Sequence, residues 1–322
     1  MSSSPSKLVI QIPCLDEEDT LPMTIADLPR EVPGFDVVEW LVIDDGSTDR
    51  TVQVARECGV HHVVSHSRNR GLAAAFLTGL DAALKVGATA IVNTDADNQY
   101  QGSCIADLTA PLVAGQADIV VGERPIGSIE EFSFVKKLLQ RLGTWVVRRF
   151  SGTPVRDAAS GFRAFGREAA LRLRVHNRYT YTMETLIQAG AENLRVVSVP
   201  IKVNPETRPS RLVKSSLSYV MRSMKTIVRS YAIYRPFRFF TILAAAPGML
   251  GVALLGRWCY YFLTDDVYHP RLPNLMAGVV LIVIAGQVMV IAFMADVVAA
   301  NRRMIEDEAY ARRRRDLEDA PG

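Results

Sequence analysis

The sequence predicts an α/β protein: a mostly parallel sheet flanked by helices, followed by an amphipathic interfacial helix and two transmembrane helices. Three observations carry that expectation. From Lys7 to about Val203, short Val- and Ile-rich runs alternate with longer helical patterns, as in successive βαβ units. Beyond them, residues 207–238 hold eight basic residues and no acid. Two uncharged runs follow, 18 residues at 239–256 and 21 residues at 275–295.

The strands are expected at 8–13, 37–44, 62–65, 90–95 and 119–122, with helical patterns between them such as 49–58 and 72–86. The stretch 215–234 mixes Leu, Val, Met, Ile and Tyr with Arg and Lys at helical spacing, which suits anionic lipid headgroups; a plain linker helix is the alternative. Each uncharged run can cross about 30 Å of hydrocarbon as a helix. The first extends through Trp258, Tyr260, Tyr261 and Phe262 as an interface belt, with a kink expected at Pro247. The chain is thereby divided into 1–206, a basic segment 207–238, spans at 239–263 and 275–298, and a charged tail 299–322 whose arginine run at 312–315 is expected to be solvated. Basic flanks on both sides of the hairpin place both termini and the large domain on the cytoplasmic side. The alternative is a pair of buried core helices.

Composition agrees. At 322 residues, 49% hydrophobic and 22% charged, the chain is not disordered. A net charge of +3 gives no argument for nucleic acid. The mean hydropathy of +0.12 is explained by the two apolar runs. Cys14, Cys58, Cys104 and Cys259 show no metal or disulfide spacing, the first residues carry no secretory signal, and a reducing compartment fits. The histidines, 61, 62, 66, 176 and 269, form no metal-ligand pattern and are expected at the surface or at strand ends. Small residues in the spans (Gly248, Gly251, Gly256, Ala277, Gly278) permit helix association, including a homo-oligomer.

In parallel sheets ligands bind beyond the carboxyl ends of the strands, and here those ends are acidic. Asp16-Glu17-Glu18 follows the first strand, Asp44-Asp45-Gly46-Ser47-Thr48-Asp49 the second, and Asp95-Ala96-Asp97-Asn98-Gln99 the fourth. Carboxylates at neighbouring strand ends repel one another, so their grouping makes sense around a hard cation, a ribose, or both. The pair Asp95 and Asp97 suits Mg²⁺ or Mn²⁺ with a diphosphate completing the shell, and Gln99 adds a neutral oxygen. Asp45 can accept from a ribose hydroxyl or base N–H, whereas Asp49 can simply cap the next helix.

Together Pro13-x-x-Asp16-Glu17-Glu18, Asp44–Asp49, Arg68-Asn69-x-Gly71-Leu72, Asp95–Gln99, Val121-Gly122-Glu123-Arg124 and Asp157-x-x-Ser160-Gly161-Phe162-Arg163 resemble glycosyltransferase family 2. That family has the Rossmann-like GT-A fold, and within it the chain resembles dolichyl- or polyprenyl-phosphate sugar synthases, a likeness that the two C-terminal spans also suggest. The resemblance implies that Pro13, Leu15, Glu17 and Asp45 hold a nucleotide, that Asp95 and Ala96 line the diphosphate and sugar, and that Asp97 and Gln99 bind metal with Asp95. It places Arg124 near the transferring centre. Lys137 and Arg141 stand nearest to a basic–serine pair of the family, and the serine is lost. Arg208 and Arg211 resemble its lid elements.

The expected activity is inverting transfer of a sugar from a nucleotide sugar to polyprenyl phosphate. Arg124, Lys137, Arg141 and Arg163 would position the acceptor phosphate. An alcohol acceptor would instead need a base, for which Asp157 and Glu184 are candidates. Asp157 could equally be a buried carboxylate holding Arg163 or the metal shell. The alternatives are transfer to another lipid or a growing glycan, and a non-catalytic nucleotide-sensing membrane scaffold.

Overall fold

The structure, a computed structural model, describes residues 5–125, 134–175, 181–205, 216–264 and 272–319, with backbone alone at 134–140, 216–223 and 318. Contacts divide the chain into two units, residues 1–228 with 309–322, and residues 229–308.

In the first unit the elements follow as β1 (Lys7–Cys14), α1 (Leu21–Asp27), β2 (Val37–Asp44), α2 (Thr51–Glu57), β3 (His62–Ser65), α3 (Leu72–Lys85), β4 (Ala90–Asn93), α4 (Ile105–Val113), β5 (Ile119–Glu123), α5 (Phe134–Ser151), β6 (Arg163–Gly166), α6 (Arg167–Arg172), α7 (Thr182–Ala191) and β7 (Val196–Pro200). The seven strands form one sheet in the order β3-β2-β1-β4-β6-β5-β7. β1 pairs in parallel with β2 on one side and β4 on the other, and seven of its eight residues are buried, as a strand covered on both faces requires. Leu8, Ile10 and Ile12 pack with Trp40, Val42, Val92, Ile105, Leu108 and Phe162 in the core.

Only β6 is reversed, antiparallel to both β4 and β5. Its first residue, Arg163, lies opposite Asn93, the last residue of β4. The reversal therefore delivers the segment just before β6 to the edge where the parallel strands end. β6 and β7 were not among the expected strands. β6 has four residues, one of them a charged Arg, and too little alternation to register. β7, VVSVP, lies after the last motif and carries an apolar pattern that could have been read. β4 stops at Asn93 rather than 95, so Asp95 sits in the loop beyond it.

α8 (Ser216–Tyr234) covers the expected interfacial stretch. In the second unit, α9 (Pro236–Thr264) runs through Pro247 as one helix. α10 (Leu272–Glu318) does not stop near 298. Its 47 residues extend about 70 Å, more than twice the hydrocarbon thickness. Both helices are long and apolar enough to cross a membrane, and only 11% of each apolar window is buried, which a soluble core helix would not show. Gly251 and Gly278 face each other between them: a Cβ on Gly251 would lie 3.0 Å from the Gly278 carbonyl, and one on Gly278 3.2 Å from that of Gly251. The association these small residues permit is thus realised within one chain.

The end of α10 belongs to the first unit. Tyr310 donates to the Glu168 carboxylate at 2.6 Å, and the Arg172 guanidinium lies 4.4 Å from its ring centroid. Arg313 donates to the Leu171 carbonyl on α6 and to Asp81 on α3, at 3.1 and 3.0 Å. The arginine run is therefore not simply solvated: Arg313 is tied down, while Arg312, Arg314 and Arg315 are exposed.

Candidate active site

The loop after β1 and the loop after β2 are sewn together by hydrogen bonds. Asp16 takes a left-handed conformation (φ 53°), tolerable for Asp or Asn because a short polar side chain can bond locally. Its carboxylate accepts the Thr48 N–H at 2.8 Å, and its own N–H donates to Ser47 Oγ at 2.9 Å. Glu17 N–H donates to Thr51 Oγ1, and Thr20 Oγ1 donates to the Glu17 carboxylate. Asp49 accepts the N–H of Thr51, at the start of α2, and that of Glu18. It does the work of a cap and a cross-link together.

Asp45 closes this edge onto the loop before α3. Its carboxylate accepts the Arg70 N–H at 2.9 Å, the Gly71 N–H at 2.8 Å and the His66 ring at 2.7 Å. Gly46 sits at φ +81°, and a Cβ there would come within 2.7 to 2.9 Å of the Arg68 and Asn69 backbone. Glycine is required by both the conformation and the close approach.

Beyond β4, Asp95 and Asp97 lie near each other and near Glu17 and Arg124. Burial pushes the Asp95 carboxyl up to about 7, the Asp97 charge reinforces this, Arg124 opposes it, and Glu17 adds to it. Asp95 keeps a partial opening to solvent, although protein surrounds its carboxyl. Tyr100 also hydrogen-bonds to Asp95 and accepts the Gly161 N–H at 3.2 Å. A Cβ on Gly161 would lie 3.1 Å from Asp95 Oδ2, so the glycine lets the two loops meet. Asp97 accepts the Gln99 N–H at 3.1 Å around Asn98, which is left-handed (φ 56°).

Arg124, just past β5, forms a two-pronged ion pair with Asp157: Nε to Oδ2 at 2.7 Å and Nη2 to Oδ1 at 3.1 Å, with side chains 9% and 1% exposed. Asp157 Oδ1 also accepts the Ala159 N–H. Arg163 is fully buried. Its Nε donates to the Ser160 carbonyl, Nη2 to the Ala158 carbonyl and Nη1 to Thr185 Oγ1, and burial lowers its pKa to about 10. Expected at an acceptor phosphate, Arg163 instead holds the 158–160 turn from inside. Nor does it pair with Asp157.

Pro13, Leu15, Glu17, Asp45, Asp95, Ala96, Asp97, Gln99, Arg124 and Asp157 all come from loops or strand ends on this one edge. Glu184 is buried in α7. Arg141 is exposed on α5, the Lys137 side chain is outside what is described, and Arg208 and Arg211 lie outside the described residues. Sequence reasoning assigned Tyr100 no role and His66 only a place at the surface or a strand end; His66 does follow β3 directly, but its side chain is buried. Neither belongs to a motif, and their only signal was a place beside the acidic strand ends.

Among the described residues, no three His, Cys, Asp or Glu side chains form a ready-made metal cage. The Asp95–Asp97 pair nonetheless fits a divalent cation whose remaining ligands come from a substrate. Burial and mutual repulsion raise Asp95, and cation binding would relieve both. Asn98 Oδ1, in the residue after Asp97, and Ser160 Oγ, in the residue before Gly161, are buried without hydrogen-bond partners.

Residues 9–174 match the family model for glycosyl transferase family 2. The chain is 28% identical to a polyprenol monophosphomannose synthase of Mycolicibacterium smegmatis over 206 residues, 61% of this chain and 76% of the relative. It is 29% identical to a UDP-N-acetylglucosamine–dolichyl-phosphate N-acetylglucosaminyltransferase of Methanococcus voltae, over 59% of this chain and 83% of the relative. Among solved structures, glucosyl-3-phosphoglycerate synthase of Mycobacterium tuberculosis with Mn²⁺, UDP and glucosyl-3-phosphoglycerate shares the fold. Its TM-score is 0.54 at 22% identity, covering 72% of this chain and 80% of the other.

Proposed function

The chain belongs to glycosyl transferase family 2, and from that premise we propose that it moves a sugar from a UDP- or GDP-sugar onto a polyprenyl phosphate at the cytoplasmic membrane face, with inversion. The observation that carries this reading is the commitment of Asp157. A hydroxyl acceptor demands a base within hydrogen-bond reach, whereas the Asp157 carboxylate, 1% exposed, is engaged in a buried two-pronged ion pair with Arg124. A lipid monophosphate needs none, because its second pKa is about 6 and its oxygen is largely anionic at neutral pH.

In this reaction an acceptor phosphate oxygen bonds to the anomeric carbon as the carbon–oxygen bond to the diphosphate breaks. The electron pair leaves with the nucleoside diphosphate. Mg²⁺ or Mn²⁺ at Asp95, Asp97 and Gln99 would supply charge neutralisation for that leaving group. Arg124, aimed by Asp157, holds the reacting phosphates in line. Pro13, Leu15, Glu17 and Asp45 hold the nucleotide, and Arg208 and Arg211 close over it. Lys137 and Arg141 meet the acceptor phosphate.

Several features support attachment to a membrane. α5 exposes Trp145 and Leu142 on one face with Arg141, Arg148 and Arg149, a combination suited to a headgroup layer. The bonds of Tyr310 and Arg313 to α6 and α3 are consistent with both flanks of a two-span hairpin lying on the same side. The relatives named for polyprenol and dolichyl phosphate acceptors point the same way.

The test is purified protein in lipid, with Mn²⁺ or Mg²⁺, offered a panel of sugar nucleotides with a polyprenyl phosphate or with phosphoglyceric acid. Sugar should appear on the lipid phosphate. Transfer to the soluble acceptor alone would overturn the lipid assignment, and no nucleotide release under any condition would leave only the sensing role.

A further inference from the structure

We propose that His66 is a positioning residue for nucleotide recognition, holding the Asp45 carboxylate and the 68–71 loop as one preset wall of the donor site. The inference rests on the donor-binding reading of Asp45 above.

His66 lies one residue past β3, and its own N–H donates to the Asp44 carbonyl at 2.9 Å. Its ring is nearly closed to solvent, as is Asp45, each side chain being 5% exposed. Nδ1 lies 2.7 Å from Asp45 Oδ1, and Nε2 lies 3.0 Å from Thr78 Oγ1 on α3. An ionised carboxylate only accepts, so Nδ1 must carry a proton. In the neutral ring Nε2 then accepts from the Thr78 hydroxyl, and the side chain is oriented from both ends. One imidazole thus joins the end of β2, the end of β3 and the first turns of α3.

The arrangement also determines what Asp45 can offer. A carboxylate has about four acceptor positions. His66 and the Arg70 N–H occupy Oδ1, and the Gly71 N–H occupies one position of Oδ2. One position on Oδ2 is left for a ligand, suited to a single base N–H or ribose hydroxyl. Without His66 the carboxylate could turn, and the cost would fall on binding rather than on the transfer step.

The experiment compares His66→Asn, His66→Gln, His66→Ala and Thr78→Val in the full chain in lipid. Dissociation constants for UDP and GDP are measured with Mn²⁺ by calorimetry, alongside donor KM, kcat and thermal unfolding. The asparagine amide can occupy the place of Nδ1 and keep the Asp45 bond; the glutamine amide reaches toward Thr78 and loses it. His66→Asn should bind within about twofold of the parent, while His66→Gln and His66→Ala should weaken the bound nucleotide about tenfold, raising KM with kcat nearly constant. Thr78→Val should fall between, about threefold. Unchanged binding in His66→Gln and His66→Ala would overturn the proposal, as would His66→Asn binding as poorly as His66→Ala. A parent protein that binds neither nucleotide would overturn the donor-site reading along with it.

Discussion

Replacing Asp95 with asparagine should uncouple divalent-cation binding from pH. The carboxyl sits at about 7 because burial and Asp97 disfavour its charge. A cation needs the ionised form, so binding displaces a proton whenever one is present. For a group at about 7, roughly 0.9 proton is released per Mn²⁺ bound at pH 6 and roughly 0.1 at pH 8, and apparent affinity falls about tenfold from its high-pH plateau by pH 6. Stability carries the matching sign. With the folded value raised above the ordinary 3.8, the folded state holds more protons than the unfolded state between about pH 4 and pH 7. The cation-free protein therefore loses stability as pH rises through that window, by at most about 4 kcal/mol, less what solvent reaching the carboxyl screens. Calorimetry in two buffers of different ionisation heat counts the protons, and thermal unfolding without cation follows stability. Asp95→Asn should release almost none at either pH and lose most of the pH-dependent fall in stability. Equal release at pH 6 and pH 8 in the parent, or unchanged release in Asp95→Asn, would refute the reasoning.

Asp157→Asn should cost about 3 kcal/mol, because it leaves the buried Arg124 charge poorly compensated, and should lower kcat without removing the low-pH limb that a general base would give the pH–rate profile. The double variant with Arg124→Gln should be less destabilised than the sum of the singles, as a thermal-unfolding cycle would show. Arg163→Met strands three acceptors and should destabilise by about 3 kcal/mol, at roughly 1 kcal/mol per acceptor, with nucleotide affinity of the folded protein unchanged by calorimetry. Gly251→Leu should force α9 from α10 where Gly251 faces Gly278 and lower the unfolding temperature in nanodiscs, at a cost of about 1–3 kcal/mol.

The sequence shows most clearly those parts where chemistry restricts residue choice. The acidic loops after β1, β2 and β4 stand out because so many carboxylates at neighbouring strand ends repel one another, and Gly46 and Gly161 stand beside them for lack of room. β6 does not stand out, since what makes it a strand is pairing with β4 and β5 on either side. Arg163 misleads for a related reason. In a motif next to a phosphate-handling site it reads as a ligand, and only tertiary burial reveals three internal acceptors. His66 is silent in the sequence because its meaning depends on Asp45 and Thr78, 21 residues before it and 12 after. The apolar stretch of α10 is plain from its composition, but its helical continuation to Glu318 is not, because mixed charges suit a helix and a solvated tail equally.

The docking of Tyr310 and Arg313 imposes an order on biogenesis. Arg313 binds Asp81, 232 positions earlier in the chain, and is synthesised after the whole sheet and most of both apolar helices. The receiving patch on α3 and α6 must wait until the last turns of α10 have been made. If α9 and α10 cross a bilayer as proposed, its filling requires both flanks of the hairpin to lie on one side. A chain in which the end of α10 did not return to the sheet domain would leave Glu168 and Asp81 without these partners.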